Sequence, residues 1–130
     1  TSLELSGKTN AEALQQGKMD LVEASVEKLP FADDGFDKII TVESFYFWPD
    51  PQENLKEVRR VLKEGGTFLL VADTYNKEGL DPKTLENICR FHLFTPTAEE
   101  FRKLFEKAGF TGIQIHVKEG TDWICVEGKK

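Results

Sequence analysis

The chain has 130 residues, of which 39% are hydrophobic and 31% charged, with a formal net charge of -6. That length and balance suit one modest domain over residues 1–130 and exclude an intrinsically disordered chain. The acidic surplus excludes a general nucleic-acid binder, which needs a basic face to meet phosphates.

No apolar run approaches the ~20 residues of a membrane span. The N-terminus carries no signal-peptide pattern, so the expected location is cytoplasmic and no membrane partner is expected. Cys89 and Cys125 lie far apart in apolar patterns, without a CxxC or Cys/His cluster. The expectation is two reduced core thiols and no metal site.

Residues 2–16 predict a helix with a weak stripe of Leu3, Ala11 and Leu14, weakened at Gly7. Residues 20–24 predict a short strand. Pro30 and Asp33-Asp34-Gly35 then break regular structure. Residues 36–42 predict a strand buried on both faces, because Phe36, Ile39, Ile40 and Val42 leave little polar surface.

Asp50-Pro51-Gln52-Glu53 opens a helix: Asp50 can cap, Pro51 suits the first position and Glu53 can reach back. That helix, residues 51–63, presents Leu55, Val58 and Leu62 to the core and turns Lys56, Arg59, Arg60 and Lys63 to water. Gly65-Gly66 stops it. Residues 67–72 form a short apolar run bounded by turn residues, the mark of a buried strand. Asp81-Pro82 opens a further helix with Leu85, Ile88 and Cys89 on one side, and the same spacing favours His92 as a packed histidine over a general base. Thr97 and Glu100 form a capping box for a helix whose Phe101, Leu104, Phe105 and Ala108 follow core spacing. Gly109 ends it. Residues 111–118 alternate and place His116 on a polar face. Glu119-Gly120-Thr121 turns, and residues 122–127 complete an antiparallel hairpin. The order is that of an α/β domain with a mainly parallel sheet closed by a hairpin.

Three segments carry a family likeness. Residues 29–40, Leu-Pro-Phe-Ala-Asp-Asp-Gly-Phe-Asp-Lys-Ile-Ile, resemble the LPFxDxxFD stretch before the fourth strand of class I S-adenosylmethionine-dependent methyltransferases. Trp48-Pro49-Asp50-Pro51 and the run from Leu55 to Gly66 are similar to that family's PDPxxxLxExxRVLKPGG, with Glu64 in place of proline. Phe105 to Phe110 resembles the LxxAGF that precedes the terminal hairpin. The resemblance implies an incomplete Rossmann-like sheet of strand order 3-2-1-4-5-7-6 lacking strands 1 and 2. It also implies S-adenosylmethionine as cofactor and a small-molecule acceptor.

The family's glycine-rich turn and its ribose-binding carboxylate have no counterpart in these 130 residues. The expectation is a C-terminal fragment, inactive in isolation and weak in cofactor binding. The alternatives are a non-catalytic methyltransferase-like subunit or interaction module. A sheet without its first two strands has a raw edge: either residues 20–24 pair directly with residues 36–42 or two copies associate, and a homodimer through that edge is the expectation.

Ligands in such folds bind outside the carboxyl ends of the strands. By resemblance, Ser25 and Val26 lie beside the adenine, and Val42, Glu43 and Ser44 approach the methionine end. Glu43 can receive the cofactor's ammonium or a substrate amine, or it is a solvated loop acid. Phe45-Tyr46-Phe47-Trp48 can line an acceptor pocket or pack beneath the next helix. Tyr46 and Trp48 are the acceptor-binding candidates. No catalytic acid, base or nucleophile is expected, because methyl transfer rests largely on positioning.

Overall fold

A short apolar run escapes water only at the centre of a sheet, and the run after Gly66 occupies that place. In the computed structural model, which describes all 130 residues, four strands form one mixed sheet. They are β1 (Phe36–Val42), β2 (Leu62–Ala72), β3 (Thr111–Val117) and β4 (Ile124–Lys129), in the spatial order β1-β2-β4-β3. β1 and β2 run parallel, while β4 pairs antiparallel with both β2 and β3. The helices are α1 (Ser2–Thr9), α2 (Ala11–Gln15), α3 (Pro51–Val61), α4 (Pro82–Phe91) and α5 (Ala98–Ala108), with a 3-10 turn at Phe45–Phe47. The order of the four strands is the one the family resemblance implied.

α3 and α5 cover one face of this sheet and pack on each other. Phe68, Leu70 and Ala72 of β2 point into that layer and are fully buried, while Leu69 and Val71 are only half-buried. Phe101 and Phe105 of α5 fill the layer, and Phe68 stacks on Phe105 with ring centroids 5.5 Å apart.

The caps follow the sequence with one exchange of roles. The Asp50 carboxylate accepts from Glu53 N at 3.2 Å, as expected. The returning bond comes from Asn54 instead of Glu53: Asp50 N donates to Asn54 Oδ1 at 3.1 Å. This explains how Asn54 is tolerated in the core as a buried polar side chain. The Thr97–Glu100 capping box is formed in full. Gly66 is required by space, since a Cβ there would meet Lys63 O at 2.7 Å. Gly109 ends α5 with φ 95°, a conformation that strains any residue with a Cβ.

Several expectations are corrected. Residues 20–24 form no strand, so the sheet keeps one parallel pair beside two antiparallel ones. The first helix divides at Asn10, whose side-chain amide donates to Ser6 O at 2.9 Å and draws the chain out of its helical path. Neither α1 nor α2 buries a residue. α3 ends at Val61, and β2 already begins at Leu62, before the glycines. β1 is not buried on both faces: Ile40 is 60% and Val42 55% exposed, because no helix covers that side. α4 buries nothing, Cys89 is exposed, and His92 is an exposed left-handed cap with φ 50°.

Arg60 is not a solvated charge. Its guanidinium donates to Leu29 O at 3.1 Å, to Phe31 O at 2.9 Å and to Asp33 Oδ1 at 2.8 Å. It also forks onto both oxygens of Glu57 at 2.7 and 2.8 Å, while Glu57 accepts from Leu29 N at 2.8 Å. The Arg60 hydrogen bonds hold the Glu57 carboxyl down to about 2. The clamp ties residues 29–33 to α3 and so fixes where β1 starts. Replacing Leu62 or Phe101 by alanine, each almost fully buried, is expected to destabilise the fold by roughly 2–5 kcal/mol in denaturant titrations. An unchanged midpoint would mean that the packed layer is misassigned.

Candidate functional site

Parallel strands end side by side, so residues just past their carboxyl ends become neighbours. The last registered pair of β1 and β2 is Val42 with Val71, and Glu43 N carries the ladder one step further by donating to Val71 O at 3.0 Å. Glu43 has φ 56°, a left-handed conformation that turns the chain sharply out of the sheet. The 3-10 turn follows at once. Phe45 enters the core at 1% exposure, and the next side chain, Tyr46, reaches back over the strand ends.

Tyr46 spans the two strands. Its hydroxyl donates to Asp73 Oδ1 at 2.7 Å and accepts from Thr74 N at 3.2 Å. Burial, and then the bond to Asp73, push the phenol's pKa well above its ordinary value, so it remains a donor. Glu43 completes the group. Its Oε1 is buried without a hydrogen-bond partner. Burial first, and the adjacent Asp73 charge second, raise the Glu43 carboxyl above its usual value of 4.5. Beside these side chains lies a cavity of about 160 Å³, lined by Tyr46, Asp73 and Thr74 from the strand ends and by Thr84, Asn87 and Ile88 from α4. No group of three or more His, Cys, Asp or Glu is arranged to hold a metal ion.

The residues singled out from sequence divide into two sets. Glu43 and Tyr46 meet at the strand ends. Ser44 stays close to them, its hydroxyl sharing a hydrogen bond with the Thr41 hydroxyl. The others stand apart. Val42 lies exposed on the uncovered face. Ser25 is exposed, and its hydroxyl bonds only within its own turn, to Glu27 Oε2 at 3.1 Å. Val26 packs on the edge of the core. Trp48 tilts onto Phe45 with centroids 5.1 Å apart, so packing claims it. Asp73 belongs to the strand end 73–76 that the sequence offers to a ligand, but the sequence gives it no particular contact. Its signal was its position directly after the apolar run of β2, at a strand's carboxyl end.

The mixed α/β sheet, with its parallel β1–β2 pair and its antiparallel terminal hairpin, is that of a Rossmann-like methyltransferase domain, and the comparisons with known proteins agree. A family model described as a methyltransferase domain matches residues 1–70. The chain belongs to the class I S-adenosylmethionine-dependent methyltransferases. It is 31% identical over 105 residues to 2-methyl-6-phytyl-1,4-hydroquinone methyltransferase 1, chloroplastic, of Oryza sativa subsp. japonica, covering 81% of this chain and 30% of that protein. The chain thus spans about 30% of the length of that curated relative. A crystal structure of an S-adenosylmethionine-dependent methyltransferase from Thermotoga maritima superposes with TM-score 0.72 at 24% identity, over 92% of this chain and 68% of that one. Human N-acetylserotonin methyltransferase, solved in complex with S-adenosylmethionine, gives TM-score 0.70 at 20% identity, over 88% of this chain and 34% of that one.

Removing the Asp73 charge tests the coupling at this site. Followed by carboxyl carbon shifts, Glu43 is expected to titrate above 4.5 in the unaltered chain. In Asp73→Asn the like charge is gone and the midpoint moves down toward 4.5, while burial keeps part of the rise. An unmoved midpoint would show that the two carboxyls do not interact.

Proposed function

We propose that the chain supplies the strand-end part of a site that transfers a methyl group from S-adenosylmethionine to a small-molecule acceptor. The observation that carries this reading is the convergence of Glu43, Tyr46 and Asp73 at the carboxyl ends of two adjacent parallel strands. When bound, the cofactor supplies a methyl group on a sulfonium centre. The buried, unpartnered oxygen of Glu43 suits a donor such as the ammonium at the cofactor's methionine end. In this reading Val42 and Ser44 flank that end, and Ser25 and Val26 lie toward the adenine. Tyr46 faces the acceptor, with Trp48 supporting the turn from behind through Phe45. No dedicated acid or base is needed for the displacement itself, because holding donor and acceptor in line supplies most of the effect.

The 130 residues contain no glycine-rich turn and no ribose carboxylate, so alone they hold only part of the cofactor and are inactive. Calorimetric titration of S-adenosylhomocysteine into the chain is expected to give a dissociation constant on the order of 0.1 mM or weaker. Low-micromolar binding would contradict the partial site, and no binding at millimolar ligand would contradict the cofactor reading.

The uncovered sheet face bears on association, and it favours an interaction module as the second reading. β1 is an edge strand with one neighbour, and its outer face leaves Ile40 and Val42 more than half exposed. An apolar groove of about 320 Å³, lined by Phe31, Phe36, Ile39, Ile40 and Val61 among others, runs beside it. A second copy pairing along β1 would cover both. Sedimentation at micromolar concentration is expected to show a dimer that Ile40→Lys dissociates. A clean monomer of the unaltered chain would contradict it.

A further inference from the structure

Between β2 and α5 the chain leaves the body of the domain and returns to it at one point. Asn76 N donates to Pro96 O at 3.0 Å, so the two stems of this excursion are tied together. Each stem has a second anchor. On the outgoing side Lys77 Nζ donates to Thr121 O at 2.8 Å and pairs with Asp122 at 2.6 Å. On the returning side Phe94 N donates to Tyr46 O at 3.3 Å, and Pro96 itself is buried.

Between these anchors stands α4, and nothing polar holds it down. Its cap is its own: the Asp81 carboxylate accepts from Thr84 N at 3.0 Å and from Thr84 Oγ1 at 2.6 Å. No side chain of α4 makes a hydrogen bond or ion pair outside residues 81–91, and none is buried. A helix that caps itself and owes nothing to the core can move as a unit without breaking its own bonds. Both of its joints have positive φ. Gly79 stands at φ 81° with no atom within 4 Å of a Cβ position, and His92 at φ 50° turns the chain out of the helix. The inner face of α4 carries Thr84, Asn87 and Ile88 at positions i, i+3 and i+4, and it closes the cavity of about 160 Å³ over Tyr46, Asp73 and Thr74. The floor of that cavity is fixed by the Tyr46 hydroxyl, which donates to Asp73 Oδ1 at 2.7 Å and accepts from Thr74 N at 3.2 Å. The wall has no such bonds.

Resting on the methyl-transfer reading above, we propose that residues 77–94 form a lid, in which α4 swings as one body about Gly79 and His92 over the carboxyl ends of β1 and β2. The structure holds this lid closed. A ligand seated on the strand ends touches Tyr46 and Asp73 in either position, but it touches Thr84 and Asn87 only when the lid is shut. Binding therefore favours the closed state by those extra contacts. Closure also takes water away from the reacting groups and commits the ligand to the site.

The test uses the 130-residue chain, with S-adenosylhomocysteine as the probe. Amide nitrogen relaxation dispersion is expected to find one exchange process, on the microsecond-to-millisecond scale, shared by α4, Gly79 and Leu93. Asn76 at the stem and Leu104 in α5 should not share it. Millimolar S-adenosylhomocysteine is expected to quench it. Gly79→Ala adds no clash but strains the joint of the closed lid, and it is expected to raise the open-to-closed ratio about tenfold. Its denaturant midpoint should match that of the unaltered chain, because α4 lies outside the core. Dispersion absent from α4, or spread equally over Asn76 and α5, would overturn the proposal. A lower midpoint in Gly79→Ala would overturn it too, since α4 would then belong to the cooperative core. If the probe shifts Glu43, Tyr46 and Asp73 but leaves the exchange of α4 unchanged, the lid falls while the methyl-transfer reading stands. If the probe shifts no strand-end residue, that reading falls and the lid falls with it.

Discussion

The site depends on the parallel register between β1 and β2. With Val42 opposite Val71, the next residues of the two strands emerge at one level, and the Glu43 N bond to Val71 O at 3.0 Å holds them there. Side chains alternate along a strand, so a slip of one residue would send Phe68 and Leu70 to the open face and part Glu43 from Asp73. Two devices guard that register. Arg60 ties the approach to β1 onto α3, and Gly66, inside β2, leaves the room that a Cβ would take from Lys63 O and the Leu62 side chain at the start of that strand. The helix that carries Arg60 also supplies the core residues Leu55 and Val58, so packing and register reinforce each other.

The sheet is covered on one face only, and this accounts for much of what lies outside the core. Leu69 and Val71 are half-buried on the same strand whose other face is completely closed. α1 and α2 contribute no buried residue and leave Leu5 at 68% exposure. The apolar residues of β1 thus have water on the side where a doubly wound sheet has helices. The free energy that holds this domain comes from one layer, built around Phe68, Phe101 and Phe105.

Much of the fold was legible in the residues. α3 and α5 announced themselves by apolar spacing and by capping residues that do cap. The hairpin was legible from its alternation, although β4 begins at Ile124 and not at residue 122. What escaped was tertiary. An apolar strand reads the same whether or not a helix covers it, so the exposure of Ile40 and Val42 could not be foreseen. A strand pattern at residues 20–24 makes no strand without a neighbour to pair with. Arg60 looked like any surface arginine because its acceptors lie about thirty positions earlier in the chain. At the site, Glu43 and Tyr46 were legible from their place after a strand. Asp73 stood at an equivalent place, but its link to Tyr46 spans 27 positions and only the fold reveals it.

The central claim is that ligands meet this domain at the carboxyl ends of β1 and β2. The most direct measurement is an amide shift map of the chain under excess S-adenosylhomocysteine. The account predicts that the largest changes fall on Glu43, Ser44, Tyr46 and Asp73, with Phe36 and Ile40 little affected. Changes concentrated on the uncovered sheet face or on α1 and α2, with the strand ends silent, would contradict it.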